Sequence, residues 1–451
     1  MSKEYFFISD LHIGGSGEIN KCDFEEELIF FLNKLSKDSI LKNIELIIVG
    51  DLFGLWEVTH LKGIDKLYYI LETHKRLFNE FKLAGGKFKI TLIPGNHDQE
   101  LLVDINYKTI LKKYNIILEM KEKIVRKIGN KKIWIEHGHQ NDDFNKFPKY
   151  NTSQYYPRGY YIIHDLISSR NDFSMKKEKG WIRDLISVSP TEDIPSWMFS
   201  NYFYKQMNPI LRFIFIPFMI FFIFSAIMIS GFLLEYLKII KTNFFGIDTI
   251  KLIIPFNNYL YQVIIADITL VLSIILLMIP LFVIFRDLKV TLRRFGLVSN
   301  NKLKKAKNAY YMDLISKTIK DNPDISIYIF GHTHEVNFIK LKNCVILNTG
   351  TWIKLLRRVK TYIRFLPAVY YPYYNLGYYK VSLVSKSKSK SNANNLKESY
   401  VVDSKEDKVM ISYYQIPKKN KFRDLTFFQK LFIFNKHLVL KHKIPKKIIL
   451  E

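Results

Sequence analysis

"ISIYIFGHTHEVNFI", residues 325–339, decides how the rest of the chain is read. Its first half is a short apolar run rich in isoleucine, which predicts a buried strand. Gly331 then breaks the run, and His332 and His334 follow in alternation. Two histidines at a strand end make half of a metal site, so the other donors must come from elsewhere in the chain. The difficulty is what precedes them. Phe213–Leu234 holds no charged residue over 22 positions, and Ile268–Phe285 holds none over 18.

A membrane-spanning helix needs about 20 apolar residues. The first run meets that length, and the second does so when 259–266 is added. Runs apolar on every side predict a transmembrane helical hairpin over 209–287. Asp267 falls near the start of the second run and reads as interfacial. Arg286, Lys289, Arg293 and Arg294, then Lys302, Lys304, Lys305 and Lys307, flank the hairpin. Positive flanks mark the cytoplasmic side, so a membrane location with a cytoplasmic catalytic domain is expected. The net charge of +26 is concentrated here. After the second run, from Arg286 on, 34 Lys and Arg stand against 11 Asp and Glu, which accounts for +23 of it. Only two cysteines occur, so no disulfide framework is expected, and a reducing compartment follows. The chain runs from Met1 straight into the strand-like "YFFISD", without the apolar core of a secretory signal.

The first 140 residues alternate strand-like runs with helical patterns. "YFFIS", "ELIIVG", "KFKITLIPG" and "KIWIEHG" read as buried strands, and Asp23–Lys37 and His60–Leu83 carry apolar residues at helical spacing. This βαβ rhythm predicts a helix-covered sheet. The expected organisation is a domain half over 1–140, an irregular insert or lid over 141–208, the hairpin over 209–287 and a second domain half over 300–384. A low-complexity loop over 385–408 and a closing strand with a basic tail over 409–451 follow. A helix over 302–320 and strands in "NCVILNTG", "YYKVSLV" and "KVMISYYQI" complete the second half.

Five fragments carry metal-binding residue types: "SDLHIGG" with Asp10 and His12, "VGDLFG" with Asp51, "PGNHDQE" with Asn96, His97 and Asp98, "EHGHQND" with His137 and His139, and "GHTH". Each follows a strand-like run and sits beside glycine. In α/β sheets, sites gather at the carboxyl ends of strands, where loops stand on a rigid base. Singly, each fragment is commonplace, but five in succession, each ending a strand, form one constellation.

In that order the fragments D-x-H, G-D, G-N-H-D, H-G-H and G-H-x-H resemble the calcineurin-like metallophosphoesterase superfamily, over roughly 1–140 and 300–384. The resemblance implies a four-layer α/β/β/α sandwich, here expected to carry the inserted transmembrane hairpin. It implies two divalent metal ions. One would be held by Asp10, His12, Asp51 and His334, the other by Asp51, Asn96, His137 and His332, with Asp51 bridging. Imidazole and carboxylate together suit Mn, Fe, Zn or Co, and Mn is the expected ion. His97 is implied as proton donor to the leaving group, with Asp98 as the carboxylate that orients it. His139 aligns less well with a ligand position than His137.

The implied activity is hydrolysis of a phosphodiester, phosphomonoester or pyrophosphate bond. "ISDLHIGG", "GDLFGLWE" and "LNTGTW" are similar to the branch containing UDP-2,3-diacylglucosamine diphosphatases. That branch has arginine where His97 stands and H-G-D where His137–His139 stand, which favours a more general phosphoesterase. The expected partners are a phosphoester substrate, a lipid-linked one in the membrane reading, and the bilayer. Arg158, His164 and Arg170 are candidates to line its pocket. A nuclease or cyclic-nucleotide phosphodiesterase is the rival enzyme, suggested by the basic excess. A non-catalytic membrane scaffold is a further alternative, opposed by the complete set of donors.

Overall fold

The computed structural model describes residues 3–14, 22–142, 145–147, 156–168, 193–211, 312–362, 366–384, 408–418, 425–433 and 447–450, with scattered positions between 184 and 287. The strands are β1 (Lys3–Ile8), β2 (Asn43–Val49), β3 (Lys89–Ile93), β4 (Ile116–Leu118), β5 (Lys123–Ile128), β6 (Lys131–Glu136) and β7 (Ile325–Phe330). They continue with β8 (Asn337–Lys340), β9 (Val345–Asn348), β10 (Leu355–Val359), β11 (Val369–Tyr373), β12 (Gly377–Leu383), β13 (Val409–Gln415) and β14 (Lys447–Leu450). The helices are α1 (Glu25–Asp38), α2 (Ile64–Thr73), α3 (Lys75–Gly85), α4 (Ile105–Lys112), α5 (Arg158–Ser168), α6 (Ile194–Asn201) and α7 (Phe427–Leu431), and residues 312–321 are also helical.

A seven-stranded sheet runs β14-β13-β12-β1-β2-β3-β4, and a five-stranded sheet runs β5-β6-β7-β9-β8. β1 to β4 are mutually parallel, as are β6, β7 and β9. Their carboxyl ends carry all five fragments.

Side-chain alternation along β1 sets the layers. Tyr5 and Phe7 point into a core shared by β1, β2, β12 and β13 of one sheet and β5, β6, β7 and β9 of the other. Phe6 and Ile8 point the opposite way, into a core built with α1, α2, α3 and α4. The second sheet turns Tyr328 and Phe330 outward onto Met312, Ile315 and Ile319 of the 312–321 helix. Two sheets therefore pack face to face with helices outside each. α1 shows why the helices take these places. Leu28, Phe31, Leu32 and Leu35 fall on one buried stripe, and Glu25, Glu26 and Glu27 favour the positive end of the helix dipole.

Several elements differ from the sequence reading. His60–Leu83 is two helices, because His74 leaves helical geometry at φ −112° and ψ 37° between α2 and α3. β4, β5, α4 and the β10-β11 ribbon were not anticipated; β4 is only 3 residues long and β5 alternates only partly.

The expected transmembrane hairpin over 209–287 is corrected: among the described residues no helix is long and apolar enough to cross a membrane. Hydropathy registers the apolar run, but a span also requires about 20 residues of continuous helix. The fold is mixed α/β with several sheets, and much of 209–287 lies outside the described residues. Arg170, Asp267, the basic residues from Lys289 to Lys307 and the Ser/Lys-rich segment 385–407 lie outside the described residues.

Phe31 joins the helix layer to the sheet, with its ring 4.7 Å from Tyr378 and 5.7 Å from Trp352. Phe31→Ala is expected to lower stability by about 3–5 kcal/mol in urea denaturation. An unchanged midpoint would contradict this packing.

Candidate metal centre

Strand ends bring the five fragments to one place. Asp10 and His12 follow β1, Asp51 follows β2, Asn96, His97 and Asp98 follow β3, His137 and His139 follow β6, and His332 and His334 follow β7. Backbone bonds lock the loops together. Leu11 and His12 donate their N–H groups to the Asp51 carbonyl at 2.8 and 2.9 Å, and Gly331 donates to the His137 carbonyl at 2.9 Å. The His332 N–H crosses between the sheets to Asp10 Oδ2 at 3.0 Å.

The loops are strained. Asp10, His12, Asp51, His332 and His334 all have positive φ, between 44° and 68°. Residues with side chains visit this region at a cost of order 1–3 kcal/mol each, and such outliers gather at functional sites.

Three donor groups result among the described residues. Asp10, His12 and His334 form the first, Asp51, His137 and His332 form the second, and His12, Asp51 and His97 form a third that overlaps both. In the first, His12 Nε2 and His334 Nε2 are 3.2 Å apart, and His334 Nε2 lies 3.3 Å from Asp10 Oδ1. In the second, Asn96 Oδ1 lies 3.1 Å from His137 Nε2 and 3.0 Å from His332 Nδ1. Asp51 stands between them. Its Oδ2 is 3.1 Å from His137 Nε2 and 3.7 Å from His12 Nε2, while its Oδ1 accepts the His97 N–H at 2.8 Å.

The imidazoles are oriented from behind. His137 Nδ1 donates to the Val49 carbonyl at 2.8 Å, which turns Nε2 toward Asp51 and Asn96. His332 Nε2 faces Asp142 Oδ2 at 3.1 Å, leaving Nδ1 toward Asn96. Asp142 was not singled out from sequence; its place in "EHGHQND", beside His139, was the available signal.

His97 sits at the edge of this centre. Its ring is 4.5 Å from that of His12 and stacks on Trp56 at 4.2 Å. The carboxylate that reaches it is Glu57, whose Oε1 lies 2.9 Å from His97 Nδ1. Asp98, expected in that role, instead accepts backbone N–H groups from Gly95 at 2.5 Å and Leu52 at 2.9 Å. It clamps the β2 and β3 loops. The expectation placed a partner next to His97 in sequence, whereas a turn aims adjacent side chains apart. Glu57 lies in "GDLFGLWE", six residues after Asp51, where no spacing marks it. His139 is buried with its ring 5.5 Å from His137, and it belongs to none of the donor groups.

The electrostatics suit a cation. Burial works against the charge of Asp51, but His137 and His97 outweigh it and hold the carboxyl well below its usual range. Burial likewise opposes a charged His137, and Asp51 and Asp10 raise it to about 10. Burial and His97 depress His12 to about 4, and burial lowers His332 and His139. His97 is raised to about 9, because Glu57 and Asp51 exceed its burial. Asp98 is pushed up to about 7 by burial and by Asp51. The fully buried Asp10 Oδ1 has no hydrogen-bond partner and faces only ring nitrogens. Imidazoles, carboxylates and one amide oxygen converging on buried negative charge fit a divalent metal.

Residues 5–214 match the family model for calcineurin-like phosphoesterases. The chain carries a calcineurin-like phosphoesterase domain. It is a hydrolase of phosphoester bonds, in a family that normally uses divalent metals. The match ends before His332 and His334, which the fold returns to the same centre. Solved structures with similarity include vacuolar protein sorting 29 from Cryptosporidium parvum, at 10% identity, covering 93% of this chain and 94% of that one, with a TM-score of 0.27. Another is phosphopantetheinyl hydrolase from Mycobacterium tuberculosis, at 10% identity, covering 78% and 90%, with a TM-score of 0.23. Likeness at that level carries no argument about fold or function. No curated protein matches the chain.

A Cβ on Gly95 would come 2.2 Å from Asp51 Oδ1. Gly95→Ala is therefore expected to displace Asp51 and to lower the metal content of purified, reconstituted protein by roughly tenfold, of the order seen when groups around a metal site are disturbed. Full metal content in this variant would show that the carboxylate is not held as described.

Proposed function

We propose that the phosphoesterase works with two divalent metals, one held by Asp10, His12, Asp51 and His334 and the other by Asp51, Asn96, His137 and His332. The observation that carries this is the Asp51 carboxylate, whose Oδ2 faces donors of the first and second groups. The mixed imidazole and carboxylate donors suit Mn best, with Fe, Zn or Co compatible. When bound, such a pair supplies Lewis acidity toward the phosphoryl oxygens and toward the attacking water.

The chain's own residues do the rest. His137 and His332 are fixed by Val49 and Asp142, so their donor nitrogens need little reorganisation. His97 carries the proton for the leaving oxygen. Glu57 holds its Nδ1 and favours the charged ring, so Nε2–H is the available donor. Trp56, stacked on the same ring, keeps it in place and excludes water from one face. A histidine here, rather than the arginine of the lipid diphosphatase branch, supports phosphodiester or phosphomonoester cleavage over pyrophosphate cleavage. The lipid-linked substrate expected earlier loses its support with the spanning hairpin.

A metal-reconstituted screen tests this with bis-p-nitrophenyl phosphate, p-nitrophenyl phosphate and a nucleoside-diphosphate lipid side by side. Turnover of an ester, loss of it on chelation and loss of it in Asp51→Asn are expected. Removing the imidazole in His97→Ala is expected to cost about 10²–10⁴-fold in kcat, the usual worth of a general acid. Unchanged turnover in Asp51→Asn would overturn the metal assignment.

A further inference from the structure

The β10-β11 ribbon carries a small unit with its own core. That core joins Val359, Val369 and Tyr371 of the ribbon to Phe203 and Tyr204, just after α6, and to Phe428 and Phe432 at α7. The ribbon and α7 lie outside the residues that the family model matches. The unit is tied to the metal centre through the chain. Thr351 Oγ1 donates to the Asp10 carbonyl at 2.6 Å, the Trp352 N–H donates to the same oxygen at 3.4 Å, and β10 begins at Leu355.

The outward faces of this unit are apolar. Along α6 and the turn after it, Trp197, Ser200, Asn201 and Tyr204 are buried, whereas Met198, Phe199, Tyr202 and Lys205 are exposed. Each set recurs at helical spacing, so one stripe faces the core and the other faces water. α7 repeats the pattern: Phe428 and Phe432 turn inward, and Phe427, Lys430 and Leu431 turn outward. Tyr362, just after β10, joins α7 by donating its N–H to the Phe432 carbonyl at 3.3 Å and its hydroxyl to the Leu431 carbonyl. Met198, Phe199, Tyr202, Tyr362, Phe427 and Leu431 are each between 44% and 72% exposed. Large apolar side chains gathered on one small unit mark an interaction surface.

Charge points to the partner. Over the described segments 193–211, 354–362, 366–373 and 425–433, six Lys and Arg stand against one acid, Asp193. Asp193 pairs with Arg358 at 3.2 Å, and Lys205 lies 3.8 Å from Asp184. Arg357, Lys360 and Lys430 are exposed. The placement of the lysines decides between kinds of partner. Lys430 shares its helix face with Phe427 and Leu431, and Lys205 continues the stripe of Phe199 and Tyr202. A protein seated on these faces would bury the ammonium groups, and the cores of protein interfaces are accordingly poor in lysine. At a bilayer surface the apolar side chains enter the acyl boundary, while lysine extends its head to the lipid phosphates.

We propose that this unit is a peripheral docking surface for an anionic lipid bilayer. Phe199, Phe427 and Leu431 enter the surface, and Arg357, Lys360 and Lys430 meet the phosphates. The contact needs no spanning helix. Through the bonds of Thr351 and Trp352 to Asp10, it holds the metal centre beside the bilayer, whichever ester is cleaved there.

Flotation of the purified full chain with lipid vesicles tests this. Vesicles of phosphatidylcholine mixed with phosphatidylglycerol are expected to bind the wild type at least about tenfold more tightly than phosphatidylcholine alone, since each Lys or Arg near an anionic surface contributes about fivefold. The preference should fall as salt rises, by screening. Phe199→Ser/Phe427→Ser/Leu431→Ser is expected to weaken binding at least about tenfold, from the apolar area it withdraws, and to keep the thermal midpoint and metal content of the wild type. Ile40→Ser/Leu41→Ser removes two exposed apolar side chains on the loop after α1 and is expected to bind as the wild type does. Arg357→Gln/Lys360→Gln/Lys430→Gln is expected to reduce the preference for anionic vesicles at least about fivefold, and it decides the matter if the serine variant fails to fold. Equal binding to the two vesicle types, binding to neither, or binding unchanged in either folded triple variant would overturn the proposal. So would a concentration-dependent dimer in sedimentation that the serine variant abolishes, because the face would then belong to a second copy.

Discussion

A pair of buried carboxylates balanced by imidazoles is the constraint on which this structure depends. Asp51 is 1% exposed and Asp10 is fully buried, and each stands within reach of the other's histidines. Removing such groups from water costs several kcal/mol per ion unless charge or hydrogen bonds replace the lost solvent. The chain carries a net charge of +26, yet the ion pairs described for Asp10 and Asp51 come from imidazoles rather than from lysine or arginine. The imidazoles compensate unevenly: Asp51 and Asp10 raise His137, whereas burial and His97 depress His12. A centre built this way is more stable with cations in it than without.

The scaffold serves that constraint. Two sheets meet through the core of Tyr5, Phe7, Ile47, Ile133, Ile327 and their neighbours, and this fixes the carboxyl ends of β1, β2, β3, β6 and β7 relative to one another. Close-packed interiors deform little. That rigidity holds five candidate ligands at positive φ and lets His332 reach Asp10 across the sheets. Glycine provides the remaining clearance. Gly331 stands where a Cβ would fall 2.5 Å from Asp10 Oδ2.

Much of this was legible from residues alone. Glycine-flanked donors after apolar runs marked every strand end that reaches the centre, and β1, β2, β3, β6, β7 and β9 lie where their runs predicted. What failed did so for physical reasons. Apolar runs report solvent preference and carry no information on whether the chain forms one long helix, so the hairpin expectation had no structural basis beyond hydropathy. The partner of His97 was sought at the adjacent Asp98, but the turn directs that carboxylate to Gly95 and Leu52. Glu57 and Asp142 support the ligands through contacts set by tertiary packing. The pairing of Glu57 with His97 spans 40 residues of sequence, and no local pattern encodes it. A cleft lined by His164 was only touched by sequence, because its aromatic walls come from three separate segments.

The central claim is a pair of metal sites joined by Asp51. Anomalous diffraction from crystals grown with Mn²⁺ addresses it directly. The account requires two peaks about 3.5–4 Å apart, the spacing of catalytic metal pairs, one beside His12 and His334, the other beside His137 and His332, both in contact with Asp51. A single peak, or two peaks that do not share Asp51, would contradict it.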